Sequence, residues 1–230
     1  MEQIYTIPVN EAFEKSAADK SCGCPFCTLY NKLECDELEL ILGASMMEPD
    51  VRIKTNERGF CEDHFSKMMT RKNRLGLALM LESHLDVVKE DIALGGLLAK
   101  NKAARPIKRI DELNKSCYVC ERIEHNFANM IETAAVLYAR EKEFREKFNK
   151  QKVFCLPHYR RLLECAGRLS KPYNSDLVTD ASRIVTEALD KLRNDISWFC
   201  KKFDYRFENE PWYDSKDAIE RTVAFLKSKE

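Results

Sequence analysis

Three long segments repeat their apolar residues at helical rather than strand spacing. Ile123, Phe127, Met130, Ile131, Ala134 and Leu137 fall on one face of a helix of roughly 25 residues. Leu77, Met80, Leu81, His84, Val88 and Ile92 form a second such stripe. A third runs through Val178, Ala181, Val185, Ala188, Leu192, Ile196, Phe199 and Phe203, behind the capping cluster Asn174-Ser175-Asp176. Ile219, Val223 and Leu226 predict a short final helix after Asp214, and only Ile4 to Val9, interrupted by Pro8, reads as an extended piece. The pattern predicts an all-α helical bundle with a short extended N-terminal segment.

The cysteines give that bundle an internal order. CPFC at Cys24 and Cys27 is followed by GFCEDH at Cys61 and His64, and CYVC at Cys117 and Cys120 by VFCLPH at Cys155 and His158. The first copy is C-x2-C-x33-C-x2-H and the second C-x2-C-x34-C-x2-H. Phe60 and Phe154 precede the third cysteine, and Phe65 and Tyr159 follow the histidine, so the copies read as a duplication. The expected organisation is a first module at 1–95, a linker at 96–116 around Gly95-Gly96 and Pro106, and a second module at 117–230, packed as one body.

Two side chains three residues apart converge on one ion, and three thiolates with one imidazole complete a closed tetrahedral shell. The spacing predicts two structural zinc ions per chain, Cys24, Cys27, Cys61 and His64 holding one and Cys117, Cys120, Cys155 and His158 the other. Each ligand pair is expected to open a helix, where the N-terminal N–H groups favour the negative shell, and Pro157 suits a first turn. An iron–sulfur cluster is the minor alternative, disfavoured by histidine ligation. Cys35, Cys165 and Cys200 read as packing residues. Cys22 has no counterpart in the second copy, where Lys115 stands, and is a spare thiol beside the first site.

Composition narrows the functions. The 230 residues are 44% hydrophobic, enough for a sizeable core without cross-links. The 38 basic and 38 acidic side chains cancel, so no global field draws in nucleic acid or an anionic membrane. With neither a basic, apolar leader nor a membrane-length apolar run, the chain reads as cytoplasmic and free of membrane contact, and its ten cysteines as reduced. No nucleophile-elbow, zincin or phosphate-loop motif occurs, so the sequence leans away from an enzyme. His84, on an apolar stripe, reads as a hydrogen-bonded core histidine, and His125 as exposed. The basic run Lys100, Lys102, Arg105, Lys108 and Arg109 reads as a solvated segment rather than a phosphate grip. The aromatic run KFDYRFENEPWYD is expected to cap the bundle's open end, with a ligand groove as the other reading.

The doubled CPFC…GFCEDHF and CYVC…VFCLPHY, with FDYR and PWYDSKDA behind them, resemble an uncharacterised bacterial family known only as a domain of unknown function. The resemblance covers nearly the whole chain. It implies a cytoplasmic setting and two CxxC/CxxH modules, and no established activity. The expectation is therefore a zinc protein acting as an interaction or regulatory module with a protein partner. A thiol or metal sensor using Cys22 and a nucleic-acid-binding factor are the alternatives.

Overall fold

The computed structural model describes residues 3–94 and 101–228, and among them every regular element is helical. The α-helices are α1 (Thr6–Ala18), α2 (Pro25–Leu42), α3 (Pro49–Arg58), α4 (Glu62–Thr70), α5 (Arg74–Asp91), α6 (Ala104–Lys115), α7 (Tyr118–Arg140), α8 (Lys142–Asn149), α9 (Leu156–Ala166), α10 (Tyr173–Lys201) and α11 (Ala218–Leu226). The all-α reading holds. The extended N-terminal piece does not, because Gln3–Tyr5 forms a 3₁₀ turn and Thr6 opens α1. Pro8 lies in the first turn of α1, where its missing N–H has no intrahelical acceptor to lose.

The described part of the expected linker is likewise largely helical. Pro106 sits in the first turn of α6 and does not end the preceding helix, whereas Gly95-Gly96 falls outside the described residues. The chain divides into two compact units: residues 1–31 with 127–230, and the continuous stretch 32–126. The boundaries fall inside α2 and α7, so neither unit coincides with one copy of the cysteine motif.

In the 32–126 unit, α3 and α4 pack on α5, and α6 lies against α3 and α5. Burial of Leu77 and Met80 fixes one end of the α5 stripe; beyond them Leu81, His84 and Val88 are half-buried and Ile92 is exposed. His84 accepts the quieter role predicted for it, with Nδ1 3.0 Å from the Asn56 carbonyl and its pKa lowered by burial. Cations of α6 are paired within the unit: Arg109 Nε lies 2.8 Å from Asp91, its Nη1 donates to the Glu57 carbonyl at 2.8 Å, and the exposed Lys108 pairs with Glu112.

In the other unit, α10 packs on α8, α9 and α11, and α1 on α8. The α7 stripe from Phe127 to Leu137 is buried throughout, and Leu177, Ala181, Ile184, Val185, Ala188 and Leu192 form the buried face of α10. Asn174 does not cap that helix; its Nδ2 donates to the Ala166 carbonyl at 2.8 Å, and α10 begins one residue earlier. The α11 stripe is out of phase with expectation, because Ala218 and Phe225 are buried while Ile219, Val223 and Leu226 are exposed. The aromatic run folds back on the end of α10, with Phe203, Tyr205 and Tyr213 exposed and Phe207 and Trp212 half-buried. Lys202 Nζ donates to the carbonyls of Phe207, Glu208 and Glu210 and lies over the Trp212 ring, tying the 203–212 loop to the end of α10.

Candidate metal centres

All eight cysteine and histidine positions singled out by spacing stand at helix N-termini. Cys24, Cys61, Cys117 and Cys155 are the residues just before α2, α4, α7 and α9, and each carbonyl accepts the first i+4 backbone bond, from Thr28, Phe65, Glu121 and Tyr159 respectively. Cys27, His64, Cys120 and His158 follow at the third helical position. A cap residue and the third residue project to the same side of a helix start, which is the geometry that lets a serine and a glutamate cap each other. Here it presents two metal-type donors instead. Pro25 opens α2 and Pro157 lies in the first turn of α9, both positions at which proline costs no helical hydrogen bond.

The four donor pairs combine across the two motif copies. Cys24 and Cys27 meet Cys155 and His158, whereas Cys61 and His64 meet Cys117 and Cys120. The grouping expected from sequence, each C-x2-C with the C-x2-H that follows it, is therefore corrected: every group takes one half from each copy. Within each group the donor atoms lie within 4.8 Å of one another, and each group could hold a metal ion.

Packing that involves none of the donors explains the exchange. Ahead of Cys61, Gly59 adopts φ +60°, ends α3, and accepts the Tyr118 N–H at 3.0 Å. One residue earlier the Arg58 carbonyl accepts Ser116 Oγ at 2.7 Å. The approach to Cys61 is thus bonded to the approach to Cys117. Any Cβ at Gly59 would be strained by its φ and would press on the His84 ring at 3.3 Å. For the other group the tie is aromatic: Phe26, inside CPFC, lies 5.8 Å from Phe154, which precedes Cys155, and both touch Phe13. Gly23, at φ +65°, makes the turn into Cys24, and its carbonyl accepts the buried Ser16 hydroxyl at 2.6 Å.

The Cys24 group is dry. Cys24, Cys155 and His158 are buried and Cys27 is partly covered. His158 Nδ1 faces the sulfurs of Cys155, Cys27 and Cys24 at 3.0, 3.5 and 3.7 Å, and Cys27 Sγ lies 3.6 Å from Cys155 Sγ. The outer edge of that imidazole points into apolar surroundings. Phe127 stands edge-on at 5.0 Å and Phe26 at 6.0 Å, and Nε2 has no hydrogen-bond partner among the described residues.

The Cys61 group is built differently around its histidine. His64 Nδ1 faces Cys61, Cys117 and Cys120 at 3.1, 3.3 and 3.4 Å, and Cys61 Sγ lies 3.8 Å from Cys120 Sγ. The Cys120 N–H points at Cys117 Sγ, 3.5 Å away. On the far side, His64 Nε2 lies 3.4 Å from the Glu34 carboxylate, a proximity that is not a formed hydrogen bond, and the same carboxylate pairs with Lys67. A carboxylate behind a ligating imidazole fixes its tautomer and raises its basicity. Glu34→Gln is expected to weaken metal binding at this group by about tenfold or more while leaving the Cys24 group unchanged. Competition with a chromogenic chelator measures both constants, and equal weakening at both groups would remove Glu34 from this role.

Thiol acidity follows the same geometry. Cys155 is pulled far down by the hydrogen bonds it accepts from Cys24, Cys27 and His158, while burial drives Cys24 well up and the Cys155 contact pushes Cys27 up to about 12. In the second group the Cys120 thiol brings Cys117 down to about 3, Cys117 in turn drives Cys120 up, and burial raises Cys61. Each metal-free group therefore favours one thiolate held by protonated neighbours. A dication takes every sulfur as thiolate, so metal uptake releases protons and strengthens as pH rises.

The remaining predicted residues stay apart from the groups. Cys22 Sγ lies 3.6 Å from Asp19 Oδ2 and is a member of neither group, His125 is exposed, and Cys35 and Cys200 are exposed rather than core residues. Cys165 is half-buried, as a packing residue should be. Glu34, Lys67 and Gly59 had no motif to announce them; the one available signal was a glycine directly before the Phe60-Cys61 pair.

A model of the Family of unknown function (DUF6062) matches residues 1–230. The chain belongs to this family. No curated protein and no solved structure matches it. In this DUF6062 chain the two Cys3His groups are features from which a function can be argued, and among the described residues no helix is long and apolar enough to cross a membrane.

Proposed function

We propose that this DUF6062 protein binds two zinc ions in structural sites and serves as a cytoplasmic interaction or regulatory module for a protein partner. The observation that carries the reading is the size of the donor polyhedra. Sulfur at about 2.3 Å and nitrogen at about 2.0–2.1 Å from a tetrahedral zinc ion give S–S edges near 3.8 Å and S–N edges near 3.5 Å. One S–S edge in each group measures 3.6 or 3.8 Å, the S–N edges run from 3.0 to 3.7 Å, and all donor atoms of a group lie within 4.8 Å of one another.

Four protein donors fill a tetrahedral shell, the arrangement of structural rather than catalytic zinc, which keeps one position for water or substrate. Ion-pairing of Arg105, Lys108 and Arg109 with Asp91 and Glu112 supports a protein partner over nucleic acid. Protein purified under reducing conditions is expected to carry about two zinc ions per chain and to lose helicity when a strong chelator removes them. Iron with visible absorbance, or full helicity without metal, would overturn the reading.

A further inference from the structure

The two groups differ in which cysteines are exposed to water. In the Cys24 group Cys24 and Cys155 are buried, and the one half-buried cysteine, Cys27, has only buried cysteines beside it. In the Cys61 group both Cys61 and Cys120 are partly accessible, and they are neighbours, with their sulfurs 3.8 Å apart. Cys117 and His64 lie buried behind them.

We infer that the Cys61–His64–Cys117–Cys120 group is a peroxide-responsive release site, in which oxidation joins Cys61 to Cys120 and expels the metal, while the Cys24 group keeps its ion. The inference rests on the zinc reading above and assigns regulation to one of its two sites. It also places the responsive thiols away from Cys22, which belongs to neither group.

The chemistry is balanced by hydrogen peroxide as oxidant. One accessible thiolate attacks a peroxide oxygen, breaking the O–O bond to give a sulfenic acid and hydroxide. The second thiolate then attacks the sulfenic sulfur, forming the S–S bond and releasing a second hydroxide. Two thiolate sulfurs are oxidised and one peroxide is reduced. The metal is left with Cys117 and His64, half its donors, and departs. Oxidation of cysteine follows thiolate character and exposure, and a neighbouring thiol resolves the sulfenic acid before it oxidises further. The Cys24 group lacks a second accessible cysteine to complete this step. Its aromatic surroundings, Phe26 and Phe127 against His158, keep solvent from the remaining donors.

The test uses the full chain carrying two zinc ions and a modest excess of hydrogen peroxide, with released zinc read by a chromogenic chelator and new disulfides mapped by mass spectrometry. One equivalent is expected to leave about tenfold faster than the other, in step with a Cys61–Cys120 linkage. Cys22→Ser is expected to leave both rates unchanged, as is the removal of the exposed thiols in Cys35→Ser with Cys200→Ser. Cys120→His retains four donors but cannot form the disulfide, and is expected to hold its zinc through the same treatment; the mapping on the unaltered chain stands even if this variant folds poorly. Loss of both ions together, first loss from the Cys24 group, or a rate that follows Cys22 would overturn the inference. Fewer than two zinc ions before any peroxide is added would instead overturn the zinc reading.

Discussion

A protein carrying Cys27→Ser together with Cys155→Ser is expected to keep one of two zinc equivalents, whereas Cys27→Ser together with Cys61→Ser is expected to lose tight binding at both. In the structure Cys27 and Cys155 belong to one group, so the first pair of substitutions damages a single site; Cys27 and Cys61 belong to different groups, so the second pair damages two. Pairing of each C-x2-C with the next C-x2-H would reverse the results. The contrast is large because removing one thiolate from a four-donor shell forfeits much of an affinity worth about 10–16 kcal/mol in small structural zinc sites. Metal content after gel filtration against a weak chelator reads the outcome, and equal retention by the two double variants would contradict the exchanged grouping.

The second large effect is expected at Phe13. This side chain is fully buried on α1 and its ring touches those of Phe26, Phe144, Phe148 and Phe154, at centroid distances from 4.9 to 6.2 Å. Two of those rings are neighbours of metal-type residues in the chain, so the cavity left by Phe13→Ala would open beside the Cys24 group. The expected destabilisation is about 3–5 kcal/mol. Both tryptophans, Trp198 and Trp212, lie in the same compact unit as Phe13, so their fluorescence during urea unfolding reports on the affected unit. Zinc release from the Cys24 group should quicken in this variant while release from the Cys61 group is unchanged. A loss below about 1 kcal/mol would mean that the aromatic cluster closes over the gap.

The helices were legible because their apolar stripes are long and periodic, and α7 is buried along the stripe that predicted it. Where the phase failed, as on α11, nine residues carry apolar side chains on more than one face, and Phe225 outweighs the Ile219–Val223–Leu226 stripe by ring area. The eight donor positions were legible as residue types at a spacing that turns two side chains to one side of a helix start. Their partnership was not. Each C-x2-C faces two C-x2-H pairs of the same chemistry, and nothing in the spacings of 33 and 34 residues chooses between them. The choice is made by contacts that no ligand motif records: the Gly59 carbonyl on the Tyr118 N–H, and Phe26 against Phe154. Glu34 was invisible for a related reason, since a glutamate on an exposed-looking helical turn acquires meaning only when His64 is folded against it.

The exchanged grouping also has a consequence in time. A chain leaving the ribosome delivers Cys24 and Cys27 first, then Cys61 and His64, and only afterwards Cys117 and Cys120, followed by Cys155 and His158. Until Cys117 emerges, the four earliest donors form a complete Cys3His set of the wrong membership, and an ion captured then would staple together halves that the finished fold holds in separate groups. The group that is born complete first is the one nested within the sequence, Cys61–His64–Cys117–Cys120, whose halves are 53 to 59 residues apart, and Cys24 and Cys27 must wait across 128 to 134 residues for their partners. For the two-zinc protein proposed above, the order in which metal and nascent chain meet would therefore bear on which grouping forms first.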